Sequence, residues 1–171
     1  MDLPFQPPTV KWLDSLSDGE KISIKQNIFN SLSLCVLPGL AEANVLHRDL
    51  KTDNLLYLPN SGTVVACDFG VGFIANSEMK PGPRGALKYY PVQAIDDSNF
   101  YQPWCDEYFA SLSFLEILTE RRIFPDLDVS EIIALRKTGI EPEIPKDIME
   151  KFPEASAWIV QIRKKMDTNQ K

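Results

Sequence analysis

Four side chains hold most of the chemistry available to this sequence. Asp49, Lys51 and Asn54 lie within His47-Arg48-Asp49-Leu50-Lys51-Thr52-Asp53-Asn54, and Asp68 lies within Cys67-Asp68-Phe69-Gly70. Asn54 and Asp68 offer a carboxamide and a carboxylate, hard oxygen donors of the kind Mg²⁺ prefers. Asp49 is placed to orient a hydroxyl and accept its proton. Lys51, two residues on, is placed to put a positive charge on a phosphoryl group in transfer. Such a set suits in-line attack on a γ-phosphate, where catalysis is mainly positioning and charge neutralisation. On that reading the catalytic candidates are Asp49, Lys51 and Asn54, and the nucleotide-binding candidates are Lys51, Asn54, Leu56 and Asp68. Leu56 would form an apolar floor under an adenine ring, Asn54 and Asp68 would be the metal ligands, and ATP and Mg²⁺ would be the cofactors. Taken singly, Asp49, Asn54 and Asp68 are ordinary turn formers. Their joint occurrence beside Phe69 and Gly70 carries the reading.

The two loops must be held together, and the residues between them supply the means. Leu55–Leu58 and Thr63–Cys67 read as strands on either side of a tight turn at Pro59-Asn60-Ser61-Gly62. That hairpin returns Asp68 to the side of Asn54. His47, the single histidine of the chain, and Phe69 read as packing residues, one from each loop. Cys67 reads as a small buried hydrophobe rather than a reactive thiol.

Around this hairpin the pattern is helical. Between Tyr108 and Leu118 eight of eleven residues are apolar and cover every face, which predicts a buried central helix over Asp106–Phe124, with the domain built around 106–119. Ile24, Ile28, Leu32 and Cys35 predict one apolar stripe on a helix ending near Pro38-Gly39. A short helix is expected at Thr9–Ser15 and a last amphipathic one at Ala155–Met166. Residues 9–46 and 130–138 should pack around the central helix. Val71–Asp97 shows no period and is rich in glycine and proline, which marks a functional loop. The expected class is α+β, mainly α, as a single domain over residues 1–171.

Composition narrows the partners. The chain has 171 residues, 44% of them hydrophobic, enough for a domain that buries roughly 70% of its unfolded surface. A net charge of −6 argues against nucleic acid or an anionic membrane as a partner. Three cysteines at 35, 67 and 105 form neither a disulfide framework nor a metal-ligand spacing. No apolar run approaches the roughly 18 residues of a membrane span, and no basic stretch leads into an apolar one at the start. A soluble protein of a reducing compartment, the cytoplasm, is expected.

The two loops match the His-Arg-Asp and Asp-Phe-Gly motifs of protein kinases in order, and the chain resembles the C-terminal lobe of that superfamily over nearly its whole length. Lys51 is similar to the serine/threonine type. The resemblance implies transfer of the ATP γ-phosphate to a protein hydroxyl. It also implies that Asp106 anchors the backbone of the catalytic loop, that Gly85–Gln93 ends an activation segment, and that Glu131–Gly139 is a surface helix. Four departures accompany it. Before His47 there are 46 residues, with no glycine-rich loop and no Val-Ala-Ile-Lys lysine, so a five-stranded N-terminal lobe is expected to be absent. Pro91-Val92-Gln93 replaces Ala-Pro-Glu, and the arginine that pairs with that glutamate is expected to be missing too. Ala86 replaces a threonine that ties the catalytic aspartate to the substrate loop. Gly82 falls near the usual phosphosite, which leaves Arg48 without a phosphate. An alternative reading follows, in which a silent kinase-like lobe acts as a decoy or regulator. Leu56, Phe69, Leu3 and Phe5 would then form an exposed patch for self-association or for a kinase N-lobe.

Overall fold

In the computed structural model, which describes residues 8, 10–75, 86–96 and 101–168, the chain is mainly helical. A single turn, α1 (Val10–Leu13), precedes α2 (Asp18–Ser31). Ser17 caps α2 reciprocally: its hydroxyl accepts the Glu20 N–H, while the Glu20 carboxylate accepts the Ser17 N–H at 2.9 Å.

The expected stripe holds at Ile24, Ile28 and Leu32 and fails at Cys35, which is exposed. The reason is a π turn over Leu32–Val36, closed by the Leu37 N–H on the Leu32 carbonyl. Its extra residue hands the stripe from Cys35 to Val36, which packs on the core. Nor does the helix stop at Pro38-Gly39; it continues as α3 (Leu37–Glu42). After the π turn, Pro38 sits in the first turn of a new segment, where its missing N–H costs little.

Four short strands follow: β1 (Val45–Leu46), β2 (Leu55–Leu58), β3 (Thr63–Ala66) and β4 (Phe73–Ile74). β2 and β3 form the expected antiparallel hairpin, with Leu55 opposite Ala66 and Leu58 opposite Thr63. Cys67 falls just beyond it. Gly62, at φ 66°, closes the four-residue loop with its N–H on Leu58 O at 2.8 Å. The β1–β4 pair was not foreseen from sequence, since two residues per strand are too few to show a period.

α4 (Val92–Asp96) leads to α5 (Pro103–Thr119), in which every residue from Tyr108 to Leu118 is buried. This is the central helix, although it ends five residues before Phe124. Glu120 turns left-handed, at φ 54°, and places its carboxylate 2.7 Å from Lys21 and 2.6 Å from Lys25 of α2. That double ion pair ends the helix. α6 (Val129–Lys137), α7 (Lys146–Lys151) and α8 (Pro153–Thr168) complete the chain. α2, α3 and β1 pack on α5 as expected, yet its main neighbour is α8. Trp158 of α8 meets Phe114 at 6.2 Å and Phe29 at 5.8 Å between ring centroids. α6 packs mainly on α4 and the 3₁₀ turn Leu87–Tyr89, and reaches α5 through a hydrogen bond from Arg136 to Tyr108. The described residues form two two-stranded sheets and no larger one. Leu3, Phe5, Ser77, Gly82 and Gly85 lie outside the described residues.

Candidate active site

The site is built from α5 upward. Asp106, in the first turn of α5, is buried beneath the loop that carries Asp49. Its Oδ2 accepts the His47 N–H at 2.7 Å; its Oδ1 accepts the Arg48 N–H at 2.8 Å and the Tyr101 hydroxyl at 2.6 Å. Burial pushes its pKa up, against the pull of these hydrogen bonds. The bonds pin a backbone that needs pinning, because Arg48 takes a left-handed φ of 69°. The Arg48 side chain is buried. Its guanidinium lies 5.3 Å from the Phe73 ring and 5.5 Å from the Tyr101 ring, and donates to Val71 O at 3.2 Å. It braces the loop by cation–π contact.

Asp49 follows, and both of its carboxylate oxygens are engaged. Oδ1 accepts the Ala86 N–H at 3.0 Å. Oδ2 accepts from Asn54 Nδ2 at 2.8 Å and lies 3.0 Å from Lys51 Nζ. Asn54 Nδ2 also donates to the Asp49 carbonyl at 2.8 Å. Both amide hydrogens of Asn54 are thereby used, which leaves its oxygen for a cation. The hydrogen bond to Asp49 raises the Lys51 pKa, partial burial opposes it, and Asp53 and Asp68 add to the rise. Lys51 is therefore firmly cationic.

His47 does more than pack. Its Nδ1 accepts the Asp49 N–H at 3.3 Å, so the proton sits on Nε2, which donates to Cys67 O at 3.0 Å. The imidazole thus ties the first loop to the second, and its ring lies 4.5 Å from that of Phe69. The tie is repeated in the backbone, where Cys67 N–H bonds Asn54 O at 2.9 Å. Asp68 stands exposed at φ 61°, its Oδ1 accepting the Gly70 N–H at 3.2 Å. Burial and the charge of Asp68 push the Cys67 thiol up, away from thiolate chemistry. Leu56 is half-buried and Phe69 is 46% exposed, so Leu56 adds less to an exposed patch than expected.

Mg²⁺ carried on a nucleotide fits this donor set. No group of three or more His, Cys, Asp or Glu able to hold a metal occurs among the described residues. One carboxamide oxygen and one exposed carboxylate suit an ion that takes its remaining ligands from phosphate and water.

Two site features escaped sequence reasoning. Ala86 lacks the hydroxyl of the family pattern, yet its backbone N–H makes the link to Asp49. Glu116, a buried polar residue of α5, accepts from the Tyr89 hydroxyl at 2.6 Å, from Lys88 Nζ at 3.2 Å and from the Ile123 N–H at 3.0 Å. The only hint of it was a glutamate amid apolar residues. A cleft of about 440 Å³ opens beside these groups, lined by Lys51, Asp53, Ala86, Lys88 and Arg122 among others.

The sequence is similar to known proteins. The family model for the protein kinase domain matches residues 10–169. A probable inactive serine/threonine-protein kinase of Dictyostelium discoideum is 28% identical over 109 residues, 64% of this chain and 6% of the relative. The dual specificity protein kinase shkA of the same organism is 32% identical over 108 residues, 60% of this chain and 20% of its own length. The MAP kinase kinase PBS2 of Saccharomyces cerevisiae is 30% identical over 123 residues, 66% of this chain and 18% of its own length. The matched region is thus a small part of each relative. With the protein kinase domain model matching residues 10–169, nearly the whole chain, the chain belongs to the protein kinase family.

Proposed function

We propose that this chain carries the catalytic-loop half of a serine/threonine-type protein kinase site and moves the γ-phosphoryl group of ATP to a protein hydroxyl. The observation that supports the reading most is the state of Asp49. Its carboxylate is fixed by the Ala86 N–H on one oxygen and by Asn54 and Lys51 on the other. In that setting Asp49 orients the acceptor hydroxyl and takes its proton. Lys51 sets its charge against the transferring group, and Leu56 floors the adenine. Asn54 and Asp68 hold the metal, which neutralises phosphate charge when bound. The 440 Å³ cleft receives the protein substrate. The proposed setting is the cytoplasm, in keeping with three free cysteines.

A second reading has its own support. One relative is named as probably inactive, and Phe69 and Ile74 are 46% and 62% exposed. On that reading the chain is a kinase-fold binding module whose partner is a kinase N-lobe or a second copy. Labelled phosphate transfer from Mg-ATP to serine, threonine and tyrosine peptides separates the two. Transfer to serine or threonine, lost in Asp68→Ala, supports the first. Absence of transfer by the parent chain, with self-association reduced by Leu56→Lys, overturns it in favour of the second.

A further inference from the structure

Arg136 of α6 is only 3% exposed, and its guanidinium reaches into the segment that carries Ala86. Nη1 donates to the backbone carbonyls of Lys88, at 3.2 Å, and of Tyr90; Nη2 donates to the Tyr108 hydroxyl of α5. That hydroxyl donates to Glu141 Oε2 at 2.5 Å, and Glu141 Oε1 lies 3.6 Å from Nη2. A buried guanidinium is tolerable only with such a counter-charge and such acceptors. One planar, five-donor cation can serve two carbonyls and a hydroxyl together, whereas a lysine ammonium cannot match that geometry.

The grip is passed along a stiff turn. Tyr89 N–H bonds Ala86 O, and Tyr90 N–H bonds Leu87 O, each at 3.0 Å. Ala86 at the head of that turn gives its own N–H to Asp49 Oδ1. Gln93, which stands where the family pattern has a glutamate, has a buried Oε1 without a hydrogen-bond partner among the described residues. That oxygen makes no substitute anchor among the described residues.

We propose that Arg136 is a positioning residue for Asp49: by holding the Lys88 and Tyr90 carbonyls, it keeps the Ala86 N–H on the Asp49 carboxylate. It does so in place of the glutamate–arginine pair that Pro91-Val92-Gln93 cannot form. The role given to Asp49 rests on the proposed function; the clamp itself does not.

Hydrogen exchange of the chain, resolved to the peptide, tests it in the parent, Arg136→Met and Arg136→Lys. In Arg136→Met the amides of Ala86, Tyr89 and Tyr90 should exchange at least about tenfold faster, as lost charged hydrogen bonds dictate. Those of α5 should stay protected, and Arg136→Lys should recover part of the loss. Unchanged protection of residues 86–90 in Arg136→Met overturns the proposal. If Arg136→Met does not fold, Arg136→Lys decides: faster exchange confined to 86–90 supports the clamp, and uniformly faster exchange overturns it. Phosphate transfer is read in parallel. A fall in kcat with KM for ATP unchanged would join the clamp to catalysis. An intact clamp with transfer indifferent to Asp49→Asn would locate the failure in the proposed function instead.

Discussion

The backbone N–H of Ala86 meets Oδ1 of Asp49 at 3.0 Å, although 37 positions separate the two in sequence. A residue without a functional side chain therefore completes the surroundings of the carboxylate proposed to orient the acceptor hydroxyl. Substitution by other small residues should be tolerated there, whereas proline, which has no N–H, should not. Ala86→Pro is expected to free one Asp49 oxygen and cut phosphate transfer, while Ala86→Ser leaves it near the parent's. Equal transfer by both variants would show that the contact is incidental.

Asp106 holds two backbone N–H groups of a loop whose Arg48 is left-handed. Asp106→Ala leaves both donors buried and unpaired, at a cost of about 2–5 kcal/mol. Urea unfolding followed by circular dichroism measures it. A loss under about 1 kcal/mol would show that water replaces the carboxylate readily.

Thiol reactivity should follow exposure and pKa together. Cys35 is exposed, the Cys67 thiol is pushed up by burial and by Asp68, and Cys105 is pushed up by burial to about 12. Alkylation of the folded chain at about pH 8 should label Cys35 first, Cys67 next and Cys105 only on unfolding. Early labelling of Cys67 would mark it as an activated thiol.

The ion pair between Lys51 and Asp49 makes a pH-dependent contribution with a definite sign. The folded pKa of Lys51 is raised above the ordinary 10.5, chiefly by its bond to Asp49. Its stabilisation is therefore fully present below 10.5 and is lost as pH rises through the higher folded value. Lys51→Met should cost no more than about 1 kcal/mol near neutrality, since the pair is partly exposed. The difference should shrink to nothing in strong alkali. A difference that grows with alkalinity would contradict the pairing.

How far sequence reasoning reached depends on how local each signal is. The all-round apolar run of α5 and the tight turn between β2 and β3 are local, and both elements appear where expected. Cys35 was misplaced because a π turn adds a residue that no period in the sequence announces. The end of α5 was overshot because Glu120 answers to Lys21 and Lys25, about a hundred positions away. At the site, residue types singled out Asp49, Lys51, Asn54 and Asp68, and the family resemblance foresaw Asp106 beneath the backbone of His47 and Arg48, but neither pointed to the backbone groups of Cys67 and Ala86. Those belong to tertiary contacts, which a side-chain pattern does not encode.

The central claim is that the hairpin makes Asn54 and Asp68 into one site for a Mg²⁺-bound nucleotide. Calorimetric titration of the chain with ATP, with and without Mg²⁺, tests this most directly. The account predicts Mg²⁺-dependent binding of about millimolar affinity at best, since two protein ligands need the phosphates to complete the ion's shell, and its abolition by Asp68→Ala. Binding that is micromolar, indifferent to Mg²⁺, or unchanged in Asp68→Ala would contradict it.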